Sequence, residues 1–109
     1  MMLDEFLSKL KRYTKAISLK SKNGSIVVTE YGGRVLAVSI GDSPNLLWVN
    51  PNLETVMEQR EFNVGGLRVW VAPERNFFYE DPRRFEGWFC PSELDPGGFK
   101  VVELTDSTV

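Results

Sequence analysis

Ten consecutive residues, Gly65-Gly66-Leu67-Arg68-Val69-Trp70-Val71-Ala72-Pro73-Glu74, hold the side chains of this chain best suited to recognising a polar ligand. Two glycines lead an alternating run. Alternation along a strand sends successive side chains to opposite faces, so Leu67, Val69 and Val71 share one face and Arg68, Trp70 and Ala72 the other. A guanidinium beside an indole suits the hydrogen-bonding and stacking of a polar ring such as a sugar. Glu74 follows at once and adds a carboxylate, whose structural alternative is an ion pair with Arg75 or Arg68.

Other chemistries are less well supplied. Glu80 with Asp81 and Glu93 with Asp95 are further carboxylate pairs for acid and base work, but adjacent acids in loops are usually only solvated, and Glu74 is the best placed. The chain has no histidine and one cysteine, Cys90, which removes the commonest metal ligand, the commonest general base and any internal disulfide. No metal and no cofactor is called for. Cys90, in Trp88-Phe89-Cys90-Pro91, reads as a small apolar side chain, with no imidazole to activate it. Gly32-Gly33 and Gly65-Gly66 each precede a strand and lack the Lys-Ser/Thr of a nucleotide loop, so they read as bulges or turns, with close backbone approach a further reading for Gly32-Gly33. Trp48, in an apolar run, reads as core; Trp70 and Trp88 are open between core and stacking platform.

The elements that would position these residues are mainly β. Leu3, Phe6, Leu7 and Leu10 recur at helical spacing with charged residues between them, which predicts one amphipathic helix over residues 3–15, docked by its Phe6/Leu7/Leu10 face onto a sheet. From Ala16 the period becomes two. Lys22-Asn23-Gly24-Ser25 is a hairpin signal between two strands, and runs 35–40 and 46–49 continue the meander across Gly41-Asp42-Ser43-Pro44-Asn45. Residues 53–63 read as a loop or a single helical turn. Strands are expected within 16–50, 66–72 and 99–104. Residues 73–98, rich in Pro, Gly and aromatic side chains, read as an ordered, irregular loop.

At 109 residues the chain is one domain. Thirteen basic and fifteen acidic side chains give a net charge of −2, unevenly spread: residues 1–22 carry six basic and two acidic groups, the remainder seven and thirteen. The basic residues fall at helical spacing among apolar ones, which reads as a solvated helix face and not as a nucleic-acid contact. No apolar run approaches the ~20 residues that cross a bilayer, and the N-terminal segment is interrupted by Asp4, Glu5 and Lys9. A cytoplasmic protein without a membrane or nucleic-acid partner is expected.

Tyr31-Gly32-Gly33-Arg34-Val35-Leu36, then Asn45-Leu46-Leu47-Trp48-Val49-Asn50-Pro51, then residues 65–74 together resemble the N-terminal part of galactose-mutarotase-like proteins, the aldose 1-epimerase superfamily. The resemblance covers about residues 18–74. It implies an antiparallel β-sandwich, part of a larger supersandwich, and a carbohydrate-binding face to which Arg68, Trp70 and Glu74 would contribute, with Arg34 and Trp88 as additions. Family members are more than twice this length, and their catalytic His and Glu lie largely beyond the matched region. The resemblance therefore implies a mono- or oligosaccharide ligand with no anomer interconversion by the isolated chain. A half-sandwich leaves an apolar face and open edges, so the expected partner is a second copy or a separately encoded second half. The alternative is a small interaction domain that self-associates and has no sugar ligand.

Overall fold

The computed structural model describes residues 3–68, 74–106, 108 and 109. Helix α1, Leu3–Leu10, carries Asp4 and Glu5 in its first turn and Lys9 in its last, which suits the helix dipole. It buries Phe6 and Leu10, each stabilising the fold by about 1.5–3 kcal/mol. The helix stops five residues short of the expected end. After Leu10 the amides of Arg12 and Tyr13 turn to the carbonyls of Lys9 and Leu10 at 3.3 and 2.9 Å, a tightening that reverses the chain into the sheet.

Strands β1 (Ala16–Lys20), β2 (Gly24–Thr29) and β3 (Arg34–Ile40) form an antiparallel sheet in that order. The expected hairpin joins β1 to β2, yet Gly24 opens β2 and does not occupy the turn; its bare Cα is needed because a Cβ there would lie 2.6 Å from the Ser39 carbonyl oxygen. The β2–β3 register shifts at Val27/Val28, which pair with Ala37 and Val35 and leave Leu36 over. That bulge lets Leu36 and Ala37, neighbours in sequence, both be fully buried. The core lies on one side of this sheet: Val27, Leu36 and Ala37 meet Phe6 and Leu10 of α1 and Leu53, Val56 and Met57 of α2, Leu53–Glu58. Where a loop or a single helical turn was expected for residues 53–63, α2 makes more than one turn of helix.

No fourth strand forms from residues 46–49. The Asn45 side chain takes its place at the β3 edge, accepting from the Val38 amide at 3.1 Å and donating to the Leu36 carbonyl at 2.9 Å. A side-chain amide that mimics the backbone competes with the ladder, and only Leu46 N–H to Val38 O, 2.8 Å, adds to it. Trp48 is therefore not core as expected but 59% exposed. Residues 64–67 then run between this segment and β3 through single bridges, Val49 with Gly65 and Val35 with Leu67. Of the strand expected at 66–72, residues 69–73 lie outside the described residues.

The expected irregular loop at 73–98 is more regular than its composition implied. It holds a short helix α3, Glu74–Phe77, a two-stranded hairpin β4 (Tyr79–Asp81) and β5 (Glu86–Trp88), and a wide helical turn, Glu93–Gly97. Asp81 nucleates the hairpin by accepting from the Arg83 and Arg84 amides at 3.2 and 3.3 Å. Residues 99–104 do not form the expected last strand; the Val101 amide binds the Glu30 carboxylate at 2.6 Å instead. The described residues thus hold two small antiparallel sheets and about as much helix as strand. No described helix is long and apolar enough to cross a membrane.

Gly66 sits at φ +76° with the Val35 carbonyl oxygen 2.4 Å from the place of a Cβ, whereas Gly41, φ +59°, has open space there. Gly66→Ala is expected to cost more than about 1 kcal/mol in urea unfolding, from backbone strain plus a clash that cannot relax without opening the Val35–Leu67 bridge. Gly41→Ala should cost only the strain, and equal losses for the two would contradict the close approach.

Candidate functional site

The two Gly-Gly pairs do the same local work. Each lets one segment approach another closely and then delivers an arginine: Gly32-Gly33 before Arg34, Gly65-Gly66 before Leu67-Arg68. Leu67 is bridged to Val35 and shares its face of the sheet, so Arg68 falls on the opposite, Arg34 side. Both guanidiniums meet the same carboxylate oxygen, Asp95 Oδ2, from the Glu93–Gly97 turn: Arg34 through Nη2, and Arg68 through Nη2 at 2.8 Å. Arg34 is 2% exposed and also donates to the carbonyls of Gly65, at 2.7 Å, and Phe62. Asp95 is 5% exposed. Burial pushes the Asp95 carboxyl above its usual range while the two guanidiniums pull it down, and burial lowers the Arg68 guanidinium against the opposing pull of Asp95.

Arg68 leads outward from this cluster to an aromatic surface. Its guanidinium lies 5.4 Å from the Phe62 ring centroid, and Phe62 meets Trp88 edge to face at 5.4 Å. Trp88 stacks at 6.3 Å over buried Phe78 and donates its indole N–H to Glu74 Oε1 at 3.3 Å. The indole is nevertheless 43% exposed. α3 supplies Glu74, β5 supplies Trp88, and the chain before the second Gly-Gly pair supplies Phe62. The arrangement is a ring surface with a carboxylate on one side and a partly exposed guanidinium beyond Phe62.

Of the residues singled out by sequence, Arg68, Glu74 and Trp88 are therefore linked through Phe62. Arg34 belongs to the buried cluster beneath them and reaches no surface, and Trp70 lies outside the described residues. Glu74 pairs with the Trp88 indole and not with Arg75, whose guanidinium donates to the carbonyls of Pro82 and Arg83. Glu93 is exposed while Asp95 is buried, so these two acids face different surroundings. Cys90 is half-buried, its sulfur 3.7 Å from Arg68 Nη2; burial pushes the thiol pKa above its usual value while the Arg68 hydrogen bond opposes the shift. Sequence reasoning missed Phe62 and the role of Asp95. The available signal was the repeated pattern of Gly-Gly followed by Arg, since two arginines brought into an interior require an acid. A groove of about 1050 Å³ lies elsewhere, between α1 and the β1–β2 turn, and Arg34, Arg68, Glu74 and Trp88 do not line it.

The chain belongs to a family of unknown function, DUF6786, whose sequence profile matches residues 3–109. No curated protein and no solved structure matches it.

Removing one partner of a buried ion pair leaves an uncompensated charge, a loss of roughly 3–5 kcal/mol. Asp95→Asn is expected to lower unfolding stability by that order in urea titration. Arg68→Ala, with the arginine side chain 17% exposed, should cost clearly less. Asp95→Asn with an unchanged midpoint would contradict the geometry described here.

Proposed function

We propose that this member of the family binds a carbohydrate on the exposed surface formed by Phe62, Arg68, Glu74 and Trp88, as a mutarotase-like module whose three-stranded sheet is one layer of a partial sandwich. The observation that carries the reading is the Trp88 indole: stacked from beneath on Phe78, fixed by its N–H on Glu74, and still 43% exposed. A ring held in place from below loses little freedom when a ligand lands on it. The C–H face of a pyranose stacks on such a ring, while its hydroxyls donate to the Glu74 carboxylate and accept from the Arg68 guanidinium. Arg34 and Asp95 serve this surface by holding Arg68, without touching the ligand. The resemblance of residues 18–74 to galactose-mutarotase-like proteins points to the same ligand class.

Turnover is not part of the proposal. Opening and closing a sugar ring needs one group to give a proton and another to take one, and no imidazole is present in the chain to share in that exchange.

Ligand-observed NMR against a panel of hexoses and pentoses tests the reading. Saturable binding of at least one sugar is expected, weakened by at least about tenfold in Trp88→Ala and in Glu74→Ala, a loss of about 1.4 kcal/mol or more. Binding untouched by both substitutions, or no sugar bound at all, would overturn it.

A further inference from the structure

The sheet has two faces, and the core uses one. The other carries two cross-strand rows, Ile17–Val28–Val35 and Leu19–Ile26–Val38, taken directly from the strand register. All six residues are apolar. None belongs to the core cluster or to the residues packed against it, and all six are only partly buried although β2 is the middle strand. Ile40 continues the face at 62% exposure, and Leu67, bridged to Val35, extends it past β3 at 62%. Leu47 and Val49 line the groove beside α1, while Leu46 and Trp48 next to them are 57% and 59% exposed. The result is a continuous apolar surface whose rows contain no ionisable side chain, a contiguous patch and not singly scattered side chains.

We infer that this face is a self-association surface, on which a second copy of the chain stacks sheet against sheet across a two-fold axis. Two observations favour a second copy. The first is charge: an isologous contact sets each patch against itself, so any ionisable side chain in it would meet its own kind, and these rows contain none. The second is area. Strands about 4.8 Å apart with about 3.3 Å per residue make a face of roughly 20 by 15 Å, and side-chain relief with Leu67 and Trp48 at the margins brings it to about 500–600 Å² per copy. Two copies then bury on the order of 1,000–1,200 Å², at the threshold that a specific interface must clear, so a reversible dimer is expected. Packed sheets of this kind lie about 10 Å apart with β-branched side chains interdigitating, and these rows supply them. The surface is separate from the aromatic one, because Leu67 and Arg68 point to opposite sides of the sheet, and it does not depend on sugar binding.

Sedimentation equilibrium of the 109-residue chain between about 1 and 100 μM tests the inference. A monomer–dimer equilibrium is expected, with dissociation at least about tenfold easier in Ile26→Thr/Val38→Thr, which keeps strand propensity while making the face polar, and in Ile40→Lys at the exposed margin. Far-UV circular dichroism checks that both variants keep their sheet. A measurement without substitutions accompanies it: isotope-filtered NOEs between labelled and unlabelled copies should connect the methyls of Ile26, Val28 and Val38. A monomer throughout the range would overturn the inference, as would a dimer without these NOEs whose dissociation the variants leave unchanged, which would place the contact elsewhere, such as the open edge of β1.

Discussion

One carboxylate oxygen, Asp95 Oδ2, is shared by two guanidiniums that reach it from separate parts of the chain, Arg34 and its acid lying 61 positions apart. Charges are costly to take out of water, and the attraction between them offsets that cost only when geometry and further hydrogen bonds are favourable. Arg34 has those bonds, to the Gly65 and Phe62 carbonyls, and they fasten residues 62–65 to the first residue of β3. The cluster thus joins three things that no continuous sheet connects: the three-stranded sheet, the Gly-Gly segment, and the C-terminal turn. The glycines are part of the same constraint, since a Cβ on Gly32 would sit 2.7 Å from Arg34 Nε and 2.9 Å from Asp95 Oδ1.

The aromatic surface adjoins this joint. Arg68 extends from Asp95 over Phe62, Phe62 supports the edge of Trp88, and Glu74 fixes the indole. Trp88 itself is held by Phe78 and Glu74, in a small apolar centre of α3 and the β4–β5 hairpin that lies apart from the main core. The main sheet divides its work by face. Its inner side meets the helices and the ion cluster, and the described cross-strand rows of its outer side are apolar.

What the sequence made legible follows from local rules. Helical spacing placed α1 and the change of period placed the hairpin; of the two Gly-Gly pairs read as bulges, turns or close approach, Gly65-Gly66 lies against the Trp48 and Val35 backbone, whereas Gly32-Gly33 lies against the side chains of Arg34, Asp95 and Phe99. The failures came where a side chain replaced backbone. Asn45 occupies the β3 edge that an apolar run seemed ready to fill, and Glu30 takes the Val101 amide that a last strand would have paired. Trp48 lies in an apolar run but outside any strand, because the Asn45 side chain holds the β3 edge, and it is 59% exposed. Asp95 was not distinguishable from its neighbour Glu93, because burial of an acid is decided by partners 27 and 61 residues away, which no local pattern encodes.

The central claim is that Arg34 and Asp95 form a coupled buried pair and do not merely lie close together. A double-mutant cycle with Arg34→Met and Asp95→Leu, read by urea unfolding, measures this directly. The account predicts a coupling of at least about 2 kcal/mol, with the double variant more stable than Asp95→Leu alone, because that single change leaves two guanidiniums unmatched and the double leaves only Arg68. Additivity within about 0.5 kcal/mol would contradict it.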